Sequence, residues 1–467
     1  MNSELCWVCL VIIVMVCCLA NMAYGQDTVK PGATTLPTDE WAVAGGNAAR
    51  TFQGKGLAAE TKPALVWKTE VLSVREMTLT DGFLIRDVVA NQEMAFVVGG
   101  RSLPQPLRGI SVQDAIVALR LSDGERLWMF EAGDLRGSAV GVDGNTLFTA
   151  SDGTVRAIDC RRGKWIWEQN KVNPSRRNSS DILFDNQKVY VSLWGGKVVA
   201  LDRKDGKVLW RSSGLSSEEE SEELRPWLAL GGDKLFLAAG SLTVVRAISV
   251  RDGREVWSRK LPALTTMTRD QIDTNTGPIL GKPRQLTHES APSVRPCVAG
   301  HLLIIPGWFG LGGNEDPPYL IAMDVESGQT VWKTDLNAGA LIGGLASDGK
   351  RVYLGLATGK VACLGMKSGE KLWEADLAPK NGRPAVGNPA PWASPVVVNG
   401  NTILVNTQPG VMHGLDPIIG RKQWSYELPV PADPGDRIII SGGRIIVTNG
   451  AKIVALGPLE PSKKSGD

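Results

Sequence analysis

Ala157-Ile158-Asp159-Cys160-Arg161-Arg162-Gly163-Lys164-Trp165-Ile166-Trp167 and Ala200-Leu201-Asp202-Arg203-Lys204-Asp205-Gly206-Lys207-Val208-Leu209-Trp210 share one frame. Each has a small residue, then Gly six places on, then Trp four beyond that. The frame returns at Ala118/Gly124/Trp128, Ala247/Gly253/Trp257, Ala322/Gly328/Trp332, Cys363/Gly369/Trp373 and Gly414/Gly420/Trp424. Asp takes the third place at Asp159, Asp202, Asp324 and Asp416. Seven occurrences at fixed internal spacing mark a repeated structural unit.

Four short alternating segments surround each occurrence. Around the first quoted stretch they are 137–141, 146–150, 155–159 and 164–168. Asp143-Gly144, Asp152-Gly153 and Arg162-Gly163 separate them, and Gly supplies the positive φ that a tight hairpin needs. Apolar and polar residues alternate with period two and show no helical period. Short strands with turns about every ten residues, in a repeat of roughly 40, describe a propeller blade.

The two ends of the repeat region complete each other. Ala64-Leu65-Val66-Trp67-Lys68-Thr69 reads as a fourth strand with its Trp but without the three before it. The C-terminus supplies three strands, 437–440, 444–448 and 452–456, and stops before any Trp. The expected fold is therefore all-β: an eight-bladed β-propeller of four-stranded antiparallel blades, closed by N- and C-terminal strands sharing the last blade. Trp67, Trp128, Trp167, Trp210, Trp257, Trp332, Trp373 and Trp424 then have a structural role. Each ring is expected between neighbouring sheets, over the small residue of the frame, where it removes about 200 Å² from water.

Composition narrows the function. The 467 residues include 53 Gly and 15 Trp against 8 Phe and 5 Tyr, as many tight turns and one reused aromatic position require. The formal charge is +2, and no basic run interleaved with aromatics exists to hold nucleic acid. The acidic run 216–223 reads as a solvated loop. His288, His301 and His413 have no zinc-site spacing, no Gly-x-Ser-x-Gly element is present, and Gly310-Leu311-Gly312-Gly313 opens no helix. Asn178-Ser179-Ser180 is a glycosylation sequon by pattern.

Residues 1–25 are expected to be a signal peptide. An apolar run from Leu5 to Ala20 is followed by Ala23-Tyr24-Gly25, which suits cleavage after Gly25. The segment before the run has no Lys or Arg, so an uncleaved N-terminal anchor facing outward is the alternative. Cys17 lacks the small preceding residue that lipidation normally requires. After an N-terminal extension, 26–62, the propeller occupies 63–457, and 458–467 is a flexible tail. Cys160, Cys297 and Cys363 remain outside the leader, too few and too scattered for a disulfide framework.

The repeated frame resembles the tryptophan-docking motif of the pyrroloquinoline-quinone (PQQ) repeat propellers, over nearly the whole span from Trp67 to Leu456. That resemblance implies one of two classes. Quinoprotein dehydrogenases use PQQ and calcium to oxidise alcohols or sugars; cofactor-free propellers, similar to the outer-membrane β-barrel assembly lipoprotein, bind other proteins through their loops. The dehydrogenase class implies an adjacent Cys pair, absent here outside the leader, and a cage of oxygen ligands for calcium. Gly312-Gly313-Asn314-Glu315-Asp316 has suitable ligand types but reads as a loop. The resemblance is closer to the cofactor-free class.

The chain is accordingly expected to be an exported, non-catalytic, monomeric scaffold with a protein partner and no cofactor. A PQQ- and calcium-dependent dehydrogenase is the alternative. Recognition of polysaccharide is a third class, with Trp194, Trp227, Trp308 and Trp392 as candidate platforms. The first strand of each blade lines the channel of a propeller, and Arg86, Asp181, Arg225, Arg295, Trp392 and Arg437 lie at or near the starts of such strands. Turned inward, Arg86, Arg225, Arg295 and Arg437 with Trp392 would make a basic channel mouth for an anionic group; otherwise they pair with nearby carboxylates. Two stretches exceed the needs of a blade, 261–295 and 100–113. The longer is the expected partner-binding or channel-covering element.

Overall fold

Alternation and turn chemistry produce the blade that the repeat implies. In blade 2 the strands are Val140–Asp143, Thr146–Ser151, Thr154–Asp159 and Lys164–Gln169, each antiparallel to the next. The two middle strands are largely buried, and the outer strand is the most exposed. Seven further sheets repeat this order: blade 1 (83–133), blade 3 (182–211), blade 4 (227–260), blade 5 (297–335), blade 6 (346–376), blade 7 (397–427) and blade 8 (438–457). The fourth strand of blade 8 is Ala64–Glu70, which pairs antiparallel with Lys452–Gly457. First strands of consecutive blades adjoin in sequence order, and that of blade 8 adjoins that of blade 1, so the ring is closed. The sequence-based expectation of an eight-bladed propeller closed by shared termini matches this architecture.

The computed structural model describes 62–458 except 72–82, 102–113, 134–139, 173–180, 215–226, 239–243, 262–294, 308–318, 337–344, 379–392, 431–436 and the short positions 152, 171, 194, 357, 394–395, 408–409 and 450–451. It also describes 46–47 and 53–54, and all these residues belong to one compact unit, 34–467. The leader, most of the extension, most of both long insertions, the acidic run, the sequon and most of the tail lie outside the described residues. No helix among the described residues is long and apolar enough to cross a membrane.

Seven of the eight frame tryptophans are shown hydrogen-bonded to the next blade. The indole N–H of Trp67 donates to Leu121 O (2.8 Å), Trp128 to Cys160 O (2.7 Å), Trp167 to Arg203 O (3.0 Å) and Trp210 to Val250 O (3.1 Å). Trp257, Trp332 and Trp373 do the same to Val325, Met366 and Pro417. Every acceptor lies in the frame's own turn, one blade on. The ring then covers that turn's Gly: a Cβ on Gly206 would sit 2.5 Å from Trp167, and one on Gly163 2.8 Å from Trp128. These glycines have φ of +75° and +63°, so position and conformation both demand the missing side chain. The ring also pairs across strands with the small residue of its own blade, as in Ala157 with Trp167.

Two local devices aim the ring. The frame's Asp folds its turn by accepting backbone N–H groups; Asp159 Oδ1 takes those of Arg161 (3.0 Å) and Arg162 (2.8 Å). A β-bulge precedes each Trp, shifting register between, for example, Trp165 and Trp167. The extra residue is pushed outward, which is why Val66, Leu127, Ile166, Leu209, Val256, Val331 and Leu372 are exposed aliphatics on outer strands. The same irregularity blunts a row of free strand edges. Behind the ring, an aromatic of the second strand packs tilted against it: Phe96, Phe148, Tyr190, Phe236 and Tyr353 lie 5.8 to 6.2 Å from Trp128, Trp167, Trp210, Trp257 and Trp373.

One strand was not expected. Gln53–Gly54 pairs parallel with Val397–Asn399, the first strand of blade 7, and makes that sheet five-stranded. The docking geometry predicts a graded response to substitution. Trp332→Ala should cost about 3–5 kcal/mol in urea denaturation. Gly206→Ala should be more destabilising than Gly232→Ala, because Gly232 (φ +59°) has open space where its Cβ would go, and only the left-handed strain of about 1–2 kcal/mol applies there.

Candidate functional site

The first strands bring charged groups from three blades, and an aromatic ring from a fourth, to one place in the channel. Arg295 precedes the first strand of blade 5, Cys297–Ala299, and is 3% exposed. Its guanidinium lies 4.0 Å from Asp87 of blade 1 and 4.0 Å from Asp181, which precedes the first strand of blade 3. Blades 1 and 5 face each other across an eight-membered ring, so this contact spans the channel. Its remaining face lies over Trp227 of blade 4, 4.5 Å from the ring centroid. Asp181 is held rigidly, accepting the N–H groups of Ile182 (3.1 Å) and Leu228 (2.9 Å). Asp87 Oδ1 accepts from Val88 N–H (2.9 Å), while Asp87 Oδ2 and Arg295 Nε and Nη2 have no hydrogen-bond partner.

Two more of the expected arginines meet beside this group. Arg86 donates from Nη1 to Asp114 Oδ2 at 2.8 Å, and Asp114 is fully buried. Arg437 donates its backbone N–H to Thr448 Oγ1 (2.8 Å) and reaches Arg86 O from Nη2 at 3.5 Å. Arg225 and Trp392, with Trp194 and Trp308, lie outside the described residues. Thus Arg295 reaches across the channel, Arg86 and Arg295 lie against carboxylates, and Arg437 reaches the backbone of Arg86. Asp87 is hidden from strict alternation because the first strand of blade 1 is bulged between Ile85 and Asp87, which assigns it to the wrong face.

What could such a site hold? The described channel centre carries one guanidinium between two carboxylates, which opposes a polyanion. Calcium takes about six to eight oxygen ligands, and among the described residues no group of three or more His, Cys, Asp or Glu converges as a metal site. Gly312–Asp316, the stretch with suitable ligand types, lies outside the described residues. No calcium cage is thus assembled among the described residues. Cys160, Cys297 and Cys363 are buried, and burial pushes the thiols of Cys297 and Cys363 up to about 12, far from a reactive thiolate.

A family model described as outer membrane protein assembly factor BamB matches residues 112–284 and 319–462. The chain belongs to that family. Among curated relatives, BamB of Escherichia coli K12 is 25% identical over 316 residues, 58% of this chain and 71% of that protein. BamB of Yersinia pestis is 27% identical over 139 residues, 27% of this chain and 33% of the relative, so the chain spans about a third of that relative's length. The quinohemoprotein alcohol dehydrogenase of Comamonas testosteroni is 30% identical over 119 residues, 23% of this chain and 17% of the enzyme. Solved structures place the same fold on both sides. BamB from Moraxella catarrhalis superposes with a TM-score of 0.53 at 17% identity, covering 85% of this chain and all of that one. The Comamonas enzyme gives 0.59 at 12% identity, covering 93% and 83%. At such identities the likeness speaks for the fold alone.

The titratable chemistry of this BamB-family propeller is quiet apart from one histidine. His413, in the third strand of blade 7, is buried with Nε2 3.0 Å from Thr407 Oγ1 and Nδ1 2.9 Å from Ser425 Oγ. Burial, with Lys422 nearby, lowers it to about 4. The unfolded chain protonates near the ordinary value of 6.5, so it binds more protons than the folded one between those limits. The stability this group contributes is full above pH 6.5 and falls as pH drops towards 4, by about 3 kcal/mol in all. Denaturation from pH 7 to 4.5 should show wild type losing stability relative to His413→Gln. Arg295→Met should cost about 3 kcal/mol by stranding two buried carboxylates, and adding Asp87→Asn should recover part of the loss.

Proposed function

We propose that this chain is an exported, non-catalytic propeller that serves as a protein-binding scaffold in outer-membrane protein assembly, without quinone or calcium. The observation that carries this reading is the channel centre, where Arg295 reaches the opposite blade and lies between Asp87 and Asp181. Charged groups set against each other across a ring brace it, whereas a cofactor site keeps polar groups turned towards an open slot. The match to the assembly-factor family over 112–284 and 319–462 supports the same reading. Export through residues 1–25, with cleavage after Gly25, belongs to this proposal and sets the compartment in which it operates.

Dehydrogenase chemistry is the competing reading, favoured by the segment shared with the Comamonas enzyme. Titrating the purified chain with PQQ, with and without calcium, decides between them. No saturable absorbance change and no rise in melting temperature is expected; tight binding would raise it by mass action and overturn the cofactor-free reading. Cross-linked capture from envelope membranes should return polypeptides of the outer-membrane assembly machinery. A capture that returns none of them would overturn the scaffold role.

A further inference from the structure

The first strand of blade 7 is the only one of the eight that the described residues show pairing with a strand from outside its blade. Gln53 faces Val398 and Gly54 faces Asn399, in parallel register, and the added strand also adjoins the first strand of blade 8. Three features distinguish this seat from an ordinary structural strand. Among the described residues the pairing covers two positions and runs parallel, unlike every other strand pair in the ring. Gly54 fits only because it lacks a side chain; a Cβ there would lie 2.5 Å from Ile440 Cβ of blade 8. Asn399, opposite Gly54 and 2% exposed, keeps its side-chain oxygen without a hydrogen-bond partner.

We propose that this edge is a strand-binding slot, occupied in cis by Gln53–Gly54, whose ligand in trans is an extended segment of a partner polypeptide. The segment pairs parallel with Val397–Asn399 through its backbone. It carries glycine where Gly54 sits, since the wall at Ile440 admits no Cβ, and it supplies a donor to the orphaned oxygen of Asn399. Backbone pairing supplies affinity and the glycine requirement supplies selection. The N-terminal strand thereby acts as an internal competitor, present at an effective concentration on the order of millimolar, so only a partner that pairs over a longer stretch displaces it. This inference rests on the protein-binding reading and adds to it the location and backbone chemistry of one contact.

The test uses a fluorescent peptide of residues 48–58 and the full chain. Gly54→Val expels the cis strand by collision with Ile440; replacing 48–58 with an equal length of alternating Pro and Ser removes its glycine and half of its backbone donors. Both chains should bind the peptide saturably and at least about tenfold more tightly than wild type, and the same peptide with valine for its glycine should not bind. If the Gly54→Val chain loses its cooperative melt, the Pro/Ser chain decides. A folded Pro/Ser chain that ignores the peptide would overturn the slot. So would a Pro/Ser chain that cannot fold, because the strand would then be a fixed part of the propeller. Neither result touches the scaffold role, which the membrane capture tests separately.

Discussion

The ring depends on an indole lying against a glycine one blade away. Glycine at positive φ lets the turn bend and leaves its surface bare; the ring covers that surface, and the indole N–H takes a carbonyl of the same turn. None of these works alone. A side chain on the turn would lift the ring and stretch the hydrogen bond, and a buried indole N–H without an acceptor would carry its own desolvation cost. The β-bulge before each Trp follows from the same requirement, since an unbulged strand would turn the ring away from the next blade. Exposed aliphatics on the outer strands are a consequence of this aiming and need no separate role.

The junction from blade 7 to blade 8 is built differently. Blade 8 takes its third strand from the C-terminus and its fourth from the N-terminus, so no hairpin turn joins them. Trp424 lies over Gly414, the small residue of its own blade, as the other tryptophans lie over theirs. Close to this junction, Gln53–Gly54 adds itself along blade 7 and abuts Ile440 of blade 8. Extra backbone therefore lies at the seam where the two ends of the chain share a blade. Closure is distributed between hydrogen bonds from Ala64–Glu70 to Lys452–Gly457 on the outside and a short parallel strand on the inside.

The fold was legible because its information is local. Eleven residues fix Asp, Gly and Trp at set offsets, and each offset has a mechanism confined to one hairpin and its neighbour. The channel was less legible. Arg295, Asp87 and Asp181 come from three blades, and Asp87 is 208 positions from Arg295 in the chain. Nothing in local pattern announces that they meet, and the bulge at Ile85/Asp87 reverses the one local clue. Gln53–Gly54 was invisible for a different reason. Two residues cannot display a period, and parallel pairing with Val397–Asn399 leaves no turn signal in the sequence.

A buried guanidinium flanked by two carboxylates is not chosen for stability, since apolar side chains of similar volume usually do as well or better. What the group contributes is a fixed relation between opposite sides of a ring that is otherwise tied only neighbour to neighbour. A chain of eight sheets, each docked on the next, accumulates small angular errors, and the channel is where they would appear. Arg295 reaches from blade 5 to Asp87 of blade 1, and Asp181 is itself bonded to Leu228 N–H of blade 4. Blades 1, 3, 4 and 5 are thereby referred to one point. For the scaffold role proposed above, such a brace is worth its desolvation cost; for an open channel it would be an obstruction.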